Sequence, residues 1–343
     1  METKALKVSI IIPVYNVAPY IGDCLQSVMR QTYAGSMECL LVDDCGEDDS
    51  MAIVERMIAE YNANLNANVS EGGGIQFRII HHERNRGLSA ARNTGTFAAV
   101  GEYLYYLDSD DEITDDCIEK LMQRVMENPD IEMVQGNAYR HLMSGESVVF
   151  VKEVVLPLAK TNEEVRRCFY PYEQFYAPLW NKLLKRSFIR DNSILCKEGL
   201  LHEDVLWIFY LQKYVKRAAF EACITYHYKI RPQSITTGST PITTGYHLSI
   251  VYREIMNNLT PGYEQEECDY YARAIANTHV RYVRMVPEYK EVLQLCRENC
   301  RHYGSRYLQM LLLVSYILGK IPYGANIYDS LAWVKIRIRG IFG

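Results

Sequence analysis

Apolar residues follow two rhythms along this chain. Short continuous runs, rich in β-branched and aromatic residues, lie at Lys7–Val14, Cys39–Val42, Phe77–His81, Tyr103–Leu107 and Ile131–Gln135. Runs of that length and content predict buried strands. Between them the apolar positions recur every three or four residues. Ile21, Leu25, Val28 and Met29 form one such set, and Ile53, Val54, Met57 and Ile58 another. Further helices are predicted over Ala90–Val100 and about Asp115–Glu127. Strand and helix alternate in the order βαβαβαβαβ, which predicts a mostly parallel sheet with helices on both faces and right-handed crossovers. Asn62–Gly74 is polar and glycine-rich and reads as a surface loop. Its Gly72-Gly73-Gly74 lacks the spacing of a dinucleotide fingerprint.

After Asn137 the rhythm changes. Tyr139–Leu142 and Ser147–Val151 flank Met143-Ser144-Gly145-Glu146 as a hairpin would. Lys160–Tyr170 reads as a helix, and Pro171–Pro178 is aromatic and punctuated by proline. Val205–Tyr214 reads as a helix and Ala219–Tyr228 as a strand. Arg231–Gly245 has the composition of a mobile loop, with a basic start and many hydroxyls, and is expected to close over a bound diphosphate as a lid, with a passive linker to the helical region as the plainer alternative. From Tyr246 onward the pattern is helical.

Composition narrows the class. The chain has 343 residues, 48% hydrophobic and 23% charged, with a net charge of -5. That suits a globular enzyme and does not suggest general nucleic-acid binding. The ten cysteines lack a framework spacing, and Met1-Glu2-Thr3-Lys4 does not open a signal peptide, so a reducing cytosol is expected. Cys296, Cys300 and His302 fall in a helical pattern without a second ligand pair, which points away from zinc. The longest apolar run, Met310–Leu318, is too short to span a bilayer.

The chemistry gathers where strands end. In an open parallel sheet, ligands bind beyond the carboxyl ends of the strands. Tyr15-Asn16, Asp43-Asp44 and Asp108-Ser109-Asp110-Asp111 each follow a strand, so all three should face one crevice. An aromatic ring, a carboxylate and a paired carboxylate motif suit a nucleoside diphosphate. Tyr15 can stack on a base, and Asp44 can accept the N3–H of uracil. Asp110 can hold a divalent cation such as Mg²⁺, which keeps positions for water and phosphate oxygens. Arg86 and Arg92 flank a helix start, where anions are favoured. The plainer readings are an acidic turn before the helix at Thr114-Asp115-Asp116, and a helix-face ion pair from Arg92 to Glu83 or a neighbour. Glu203-Asp204 opens the Val205–Tyr214 helix. Asp204 is the candidate general base for an attacking hydroxyl, and a helix cap is the plainer alternative.

Four ordered segments carry a resemblance. Val8–Asn16, Val42–Ser50, Asn85–Asn93 and Gly101–Asp111 resemble family 2 glycosyltransferases, which are inverting enzymes of the GT-A fold, here of the capsule and exopolysaccharide type. The resemblance covers about Lys7–Tyr228. It implies an α/β Rossmann-like fold, a nucleotide-sugar donor such as a UDP-hexose or UDP-N-acetylhexosamine, and a Mg²⁺ or Mn²⁺ ion. Pro13, Tyr15, Asp44, Arg86, Arg92, Asp108 and Ser109 match the donor side. Asp110 matches the metal ligand of the Asp-x-Asp motif, and Asp204 matches the base. Trp180, Lys182 and Glu203 match an acceptor-side segment. The implied acceptor is a saccharide or lipid-linked saccharide. A catalytic domain at 1–240 would divide into a nucleotide-binding half, 1–112, and an acceptor half, 113–240. A helical region would follow at 241–343.

Two departures stand out. Cys45-Gly46 replaces the family's usual Gly-Ser, removing a hydroxyl, and no Gln-x-x-Arg-Trp motif of processive synthases is present. An Asp-x-Asp phosphohydrolase is the enzymatic rival, but Glu112 stands where it wants Thr or Val. A dehydrogenase would need a glycine-rich turn where Pro13-Val14-Tyr15-Asn16 stands. An inactive GT-A scaffold is the non-enzyme rival. Tyr307–Leu318 and Asn326–Phe342 mix apolar residues with Trp333, Lys335, Arg337 and Arg339. They suit either an interfacial helix on an anionic bilayer, at the inner face of a membrane, or packing within the protein or against a second subunit.

Overall fold

A computed structural model describes residues 7–67, 74–170, 173–232, 234, 238–303 and 306–329. The chain divides into two compact units, Met1–Pro232 and Gln233–Gly343.

The first unit is built on a mixed sheet. β1 (Val8–Val14) lies between β2 (Met37–Asp43) and β4 (Tyr103–Tyr106), and β3 (Gln76–His81) flanks β2, all parallel. These strands are the expected apolar runs. Their alternation sorts side chains to two faces. Val8, Ile10 and Ile12 join one core with α1 (Ile21–Met29), α2 (Ser50–Ala67) and α4 (Cys117–Glu127). Ile11, Leu40 and Leu104 join the other core with α5 (Asn162–Phe169), α6 (Arg186–Asp191) and α7 (Glu203–Tyr214). On that second face α3 (Leu88–Ala98) packs on β1 and β2. A Cβ on Gly95 of α3 would come within 2.4 Å of Ile11, so the close approach of helix and strand requires glycine.

The second half of the sheet departs from the simple alternation. β6 runs unbroken over Met133–His141, fusing the expected strand at 131–135 with the first arm of the hairpin, whose second arm is β7 (Ser147–Val149). A strand from later in the chain, β9 (Lys182–Lys185), inserts antiparallel between β4 and β6. β10 (Ala218–Lys229) pairs parallel with β6 and antiparallel with β5 (Glu112–Ile113) and β8 (Leu158–Ala159). The order is β3-β2-β1-β4-β9-β6-β10-β5. Local patterning cannot reveal β9 as the bridge, because its partners lie about 50 and 80 residues away in the chain, and pairing over such separations leaves no local periodic signal.

The second unit is helical, with α8 (Pro241–Asn257), α9 (Glu264–Tyr282), α10 (Tyr289–His302) and α11 (Arg306–Leu318). Thr240 caps α8 by accepting from the Thr243 N–H, and Pro241 takes the first turn, where its missing N–H costs nothing. Cys268, Cys296 and Cys300 are buried in this unit. Leu308, Leu311, Leu312 and Leu318 of α11 are also core, so half of the apolar stripe read from the sequence faces protein. Residues 330–343, which hold most of the expected basic tail, lie outside the described residues. Among the described residues no helix is long and apolar enough to cross a membrane.

Candidate active site

The carboxyl ends of β1, β2 and β4 meet at one edge of the sheet. β1 ends in buried Pro13 and Val14 and gives way to Tyr15, which is 47% exposed. Pro13 lies past the last β1–β4 pair, Ile11 with Tyr106, so its missing N–H breaks no bond on that side. Asn16 adopts a left-handed conformation (φ 50°), and its Oδ1 accepts from the Glu47 N–H at 2.8 Å. The Val17 N–H donates to Ser50 Oγ and the Ala18 N–H to Asp48, both at 2.8 Å. These bonds knit the loop after β2 to the loop after β1. Cys45, where the family usually has glycine, is also left-handed, and its thiol donates to the His82 carbonyl at 3.3 Å.

Asp44 is buried and heavily engaged. Its Oδ1 accepts from the Arg86 N–H at 2.8 Å and lies 2.6 Å from His82 Nδ1, while its Oδ2 accepts from the Gly87 N–H at 2.8 Å. Gly87 has φ +87°, a conformation that costs glycine little and turns its N–H toward the carboxylate. The anion held at the start of α3 is therefore Asp44 itself. The sequence places Arg86 in the donor site, yet its guanidinium forms an exposed ion pair with Glu198 at 3.1 Å.

Arg92 joins two acidic turns. It is 3% exposed; Nη2 donates to Asp108 Oδ1 at 2.6 Å and Nη1 donates to Glu203 Oε1 at 2.5 Å. The helix-face pair with Glu83 is not formed; the partners lie across the sheet edge and at the start of α7. Both carboxylates hold the guanidinium charged, well above its already high range. Burial pushes the Glu203 carboxyl upward, and Arg92 opposes that push.

The turn after β4 crowds three carboxylates. Ser109 is buried, and the Asp111 N–H donates to the Asp108 carbonyl at 3.1 Å. Asp110 Oδ2 accepts from Arg231 Nε at 2.5 Å, and the Arg231 guanidinium lies 4.8 Å from the centre of the Tyr20 ring. Desolvation and the Asp108 charge raise Asp110 above the usual carboxylate range. Asp111 is 1% exposed and accepts from Tyr226 Oη at 2.7 Å and from the Lys229 N–H at 2.8 Å. Burial and its acidic neighbours raise it well above the usual range. Asp108 and Asp110 each keep one oxygen that takes no side-chain donor among the described residues, with side chains 23% and 20% exposed. Adjacent, partly desolvated carboxylates of one sign suit a hard cation. No group of three or more protein ligands for a metal occurs among the described residues, so such a cation would depend on water and substrate oxygens.

The second acidic turn opens α7. His202 adopts φ 60°, Glu203 is buried against Arg92, and Asp204 stays half-buried. Asp204 Oδ1 accepts from the Val205 N–H at 2.9 Å, a local bond at the helix start. It forms no ion pair with a described residue.

The sequence assigns Trp180, Lys182 and Glu203 to the acceptor side, and the structure buries all three. Trp180 stacks on Tyr226 at 4.4 Å and on Tyr228 at 5.5 Å between ring centres. Lys182 Nζ donates to the Pro178 carbonyl at 2.5 Å and lies 4.0 Å from the centre of the Tyr176 ring. Burial pushes its amine well below the usual range, and the Asp204 charge opposes that. These side chains hold the wall beneath the site. Asn181 between them accepts from Tyr105 Oη at 3.0 Å and from Thr225 Oγ1 at 2.8 Å. Asp111, Tyr226 and Asn181 were not singled out by the sequence. Their role depends on burial and on partners from distant strands, and only the run of three aspartates hinted at Asp111. Of the expected lid, Arg231 reaches Asp110 and Pro241–Gly245 are not loop but the start of α8, while residues 233 and 235–237 lie outside the described residues.

With this geometry in view, the chain compares as follows. The family model described as Glycosyl transferase family 2 matches residues 9–192. The chain is 25% identical over 295 residues to the glycosyltransferase GlyG of Streptococcus pneumoniae serotype 4, covering 84% of this chain and 89% of GlyG. It is 31% identical over 242 residues to EpsH of Bacillus subtilis strain 168, covering 68% of this chain and 63% of EpsH. In structure it is similar to residues 1–349 of TarS from S. aureus, solved with UDP-GlcNAc, with a TM-score of 0.68 and 19% identity over 96% of this chain and 92% of that one.

Proposed function

The chain belongs to glycosyl transferase family 2, and from that premise we propose that it moves a hexose or N-acetylhexosamine from a UDP-sugar to a hydroxyl of a saccharide or lipid-linked saccharide, inverting the anomeric centre. The observation that carries this reading is the double ion pair of Arg92. It ties the Asp108 turn to the Glu203 turn, so the end of the site suited to a diphosphate and the end suited to a hydroxyl share one buried cation. TarS, whose fold this chain shares, was solved with UDP-GlcNAc, and that choice of donor is carried over here as part of the proposal.

On the donor side, exposed Tyr15 stacks on the base. Asp44 already accepts three bonds, and a carboxylate offers about four lone-pair sites. The remaining site on Oδ2 accepts the uracil N3–H. Asp110, supported by Asp108, would hold a Mg²⁺ or Mn²⁺ ion, which when bound supplies charge neutralisation for the departing diphosphate. Pro13 and Ser109 shape the floor of this end and offer no charge of their own.

On the acceptor side, Asp204 accepts the proton of the attacking hydroxyl. It is the carboxylate of its turn without a cation clamp, which leaves it available as a base. Glu203 positions the turn through Arg92. A proton acceptor so placed contributes about 10²–10⁴-fold to rate. The phosphohydrolase reading is not favoured, since the family match spans the motifs on which it would rest.

The test is a panel of UDP-, GDP- and other nucleotide sugars offered to the purified protein with Mn²⁺ or Mg²⁺. Release of UDP from a UDP-hexose or UDP-N-acetylhexosamine, and not from GDP-sugars, is expected. Turnover of a GDP-sugar alone would overturn the uracil contact, and release of inorganic phosphate from simple phosphate esters would overturn transfer.

A further inference from the structure

α11 has two apolar faces, and protein covers one. Leu308, Leu311, Leu312, Ser315 and Leu318 form the inward face, packed on α9 and α10. On the outward side Met310 is 55% exposed, Leu313 43% and Ile317 53%. Their spacing of three and four residues sets them in one stripe. A surface helix of a globular protein normally places charged residues there. α11 carries no Asp or Glu, and its one charged residue is Arg306. Exposed apolar side chains continue beyond it at Ile321 and Tyr323.

Cations border the stripe. Lys320 Nζ lies 4.0 Å from the centre of the Tyr316 ring, and the Arg297 guanidinium from α10 lies 5.6 Å from it. Lys320, Arg297 and Lys290 all pull the exposed Tyr316 phenol below its ordinary value. We propose that the α10–α11 face, with Met310, Leu313 and Ile317 inserted and Arg297 and Lys320 at the headgroups, docks on an anionic lipid surface. Charge selects this occupant. Apolar residues beside a tyrosine and Lys/Arg, without acids on α11, match the interfacial region of an anionic bilayer. On α10, Glu291 is paired with Arg253, and Glu298 is outnumbered by Lys290, Arg297 and Arg301. Two-fold pairing of the face with a second copy would bring like cations toward one another, which opposes self-association.

Co-sedimentation of the full chain with vesicles tests this. Vesicles of equal parts phosphatidylglycerol and phosphatidylcholine should bind the protein, and pure phosphatidylcholine should not. Leu313→Asp with Ile317→Asp should weaken binding by about tenfold or more, with an unchanged melting curve because both side chains are surface-exposed. Lys320→Ala should weaken it about fivefold. A chain ending at Asp329 should still bind, separating the face from the basic residues beyond it. Equal binding by the parent and the double Asp variant overturns the proposal. So does a parent that binds no vesicles but forms a dimer that the double Asp variant splits.

Discussion

The two acidic turns, 108–111 after β4 and 202–204 before α7, use the same residue type in opposite surroundings. Each gives one carboxylate to Arg92, Asp108 from the first and Glu203 from the second. Their neighbours differ. Asp110 stands among other carboxylates and is met by Arg231, so it sits where positive charge is wanted. Asp204 stands at a helix start with only a local N–H bond and no ion pair among the described residues. The contrast separates supports from reagents. A carboxylate clamped by a buried guanidinium holds geometry, a crowded one calls for a cation, and one without a clamp can accept a proton.

Removing Arg92 breaks both turns at once and should have the largest effect. Arg92→Ala leaves buried Glu203 and partly buried Asp108 without compensation, and such a loss costs about 3–5 kcal/mol. Urea unfolding of the full chain measures it. A loss below about 1 kcal/mol would mean that the two turns are held together by something else. The next variant sharpens the first turn alone. Asp110→Asn should remove the tightening of UDP binding by Mn²⁺, read by titration calorimetry, while metal-free UDP binding changes little. Equal metal-dependent tightening in the variant and the parent would move the cation elsewhere. The smallest effect should come from the cation that meets Asp110. Arg231→Ala removes one half-buried ion pair, and Mn²⁺ should then bind about threefold to tenfold more tightly. Weaker Mn²⁺ binding in that variant would show that Arg231 supports the site instead of competing for it.

The sequence made the first turn easier to read than the second. The run Tyr103–Leu107 ends in carboxylates, and the rule that ligands bind past strand ends places Asp108 and Asp110 at the site without any tertiary knowledge. The apolar runs of β1, β2 and β4 were visible for the same reason, since continuous apolar segments mark strands buried on both faces, whereas β3 is a half-exposed edge strand interrupted by Arg78. Glu203-Asp204 looked equally like a cap, and only the partner of Glu203 distinguishes the two residues. Arg92 shows the limit most clearly. Its place on α3 was evident, but its partners lie 16 and 111 residues away, at separations that no helical or strand period reports. The same holds for β9, Asn181 and the Asp111–Tyr226 bond. The fate of Arg86 was hidden differently, because a surface ion pair with Glu198 follows from a loop conformation and not from a pattern. In the helical unit, periodicity announced the helices but not which apolar face of α11 protein would cover.

The division of labour between the turns is tested most directly by Asp204→Asn, with UDP-sugar binding and turnover measured on the same preparation. Donor binding should stay within about twofold of the parent while turnover falls by about 10²–10⁴-fold. Retained turnover would contradict the account and leave Asp204 as a helix cap, and loss of donor binding in step with turnover would place it on the donor side of the site.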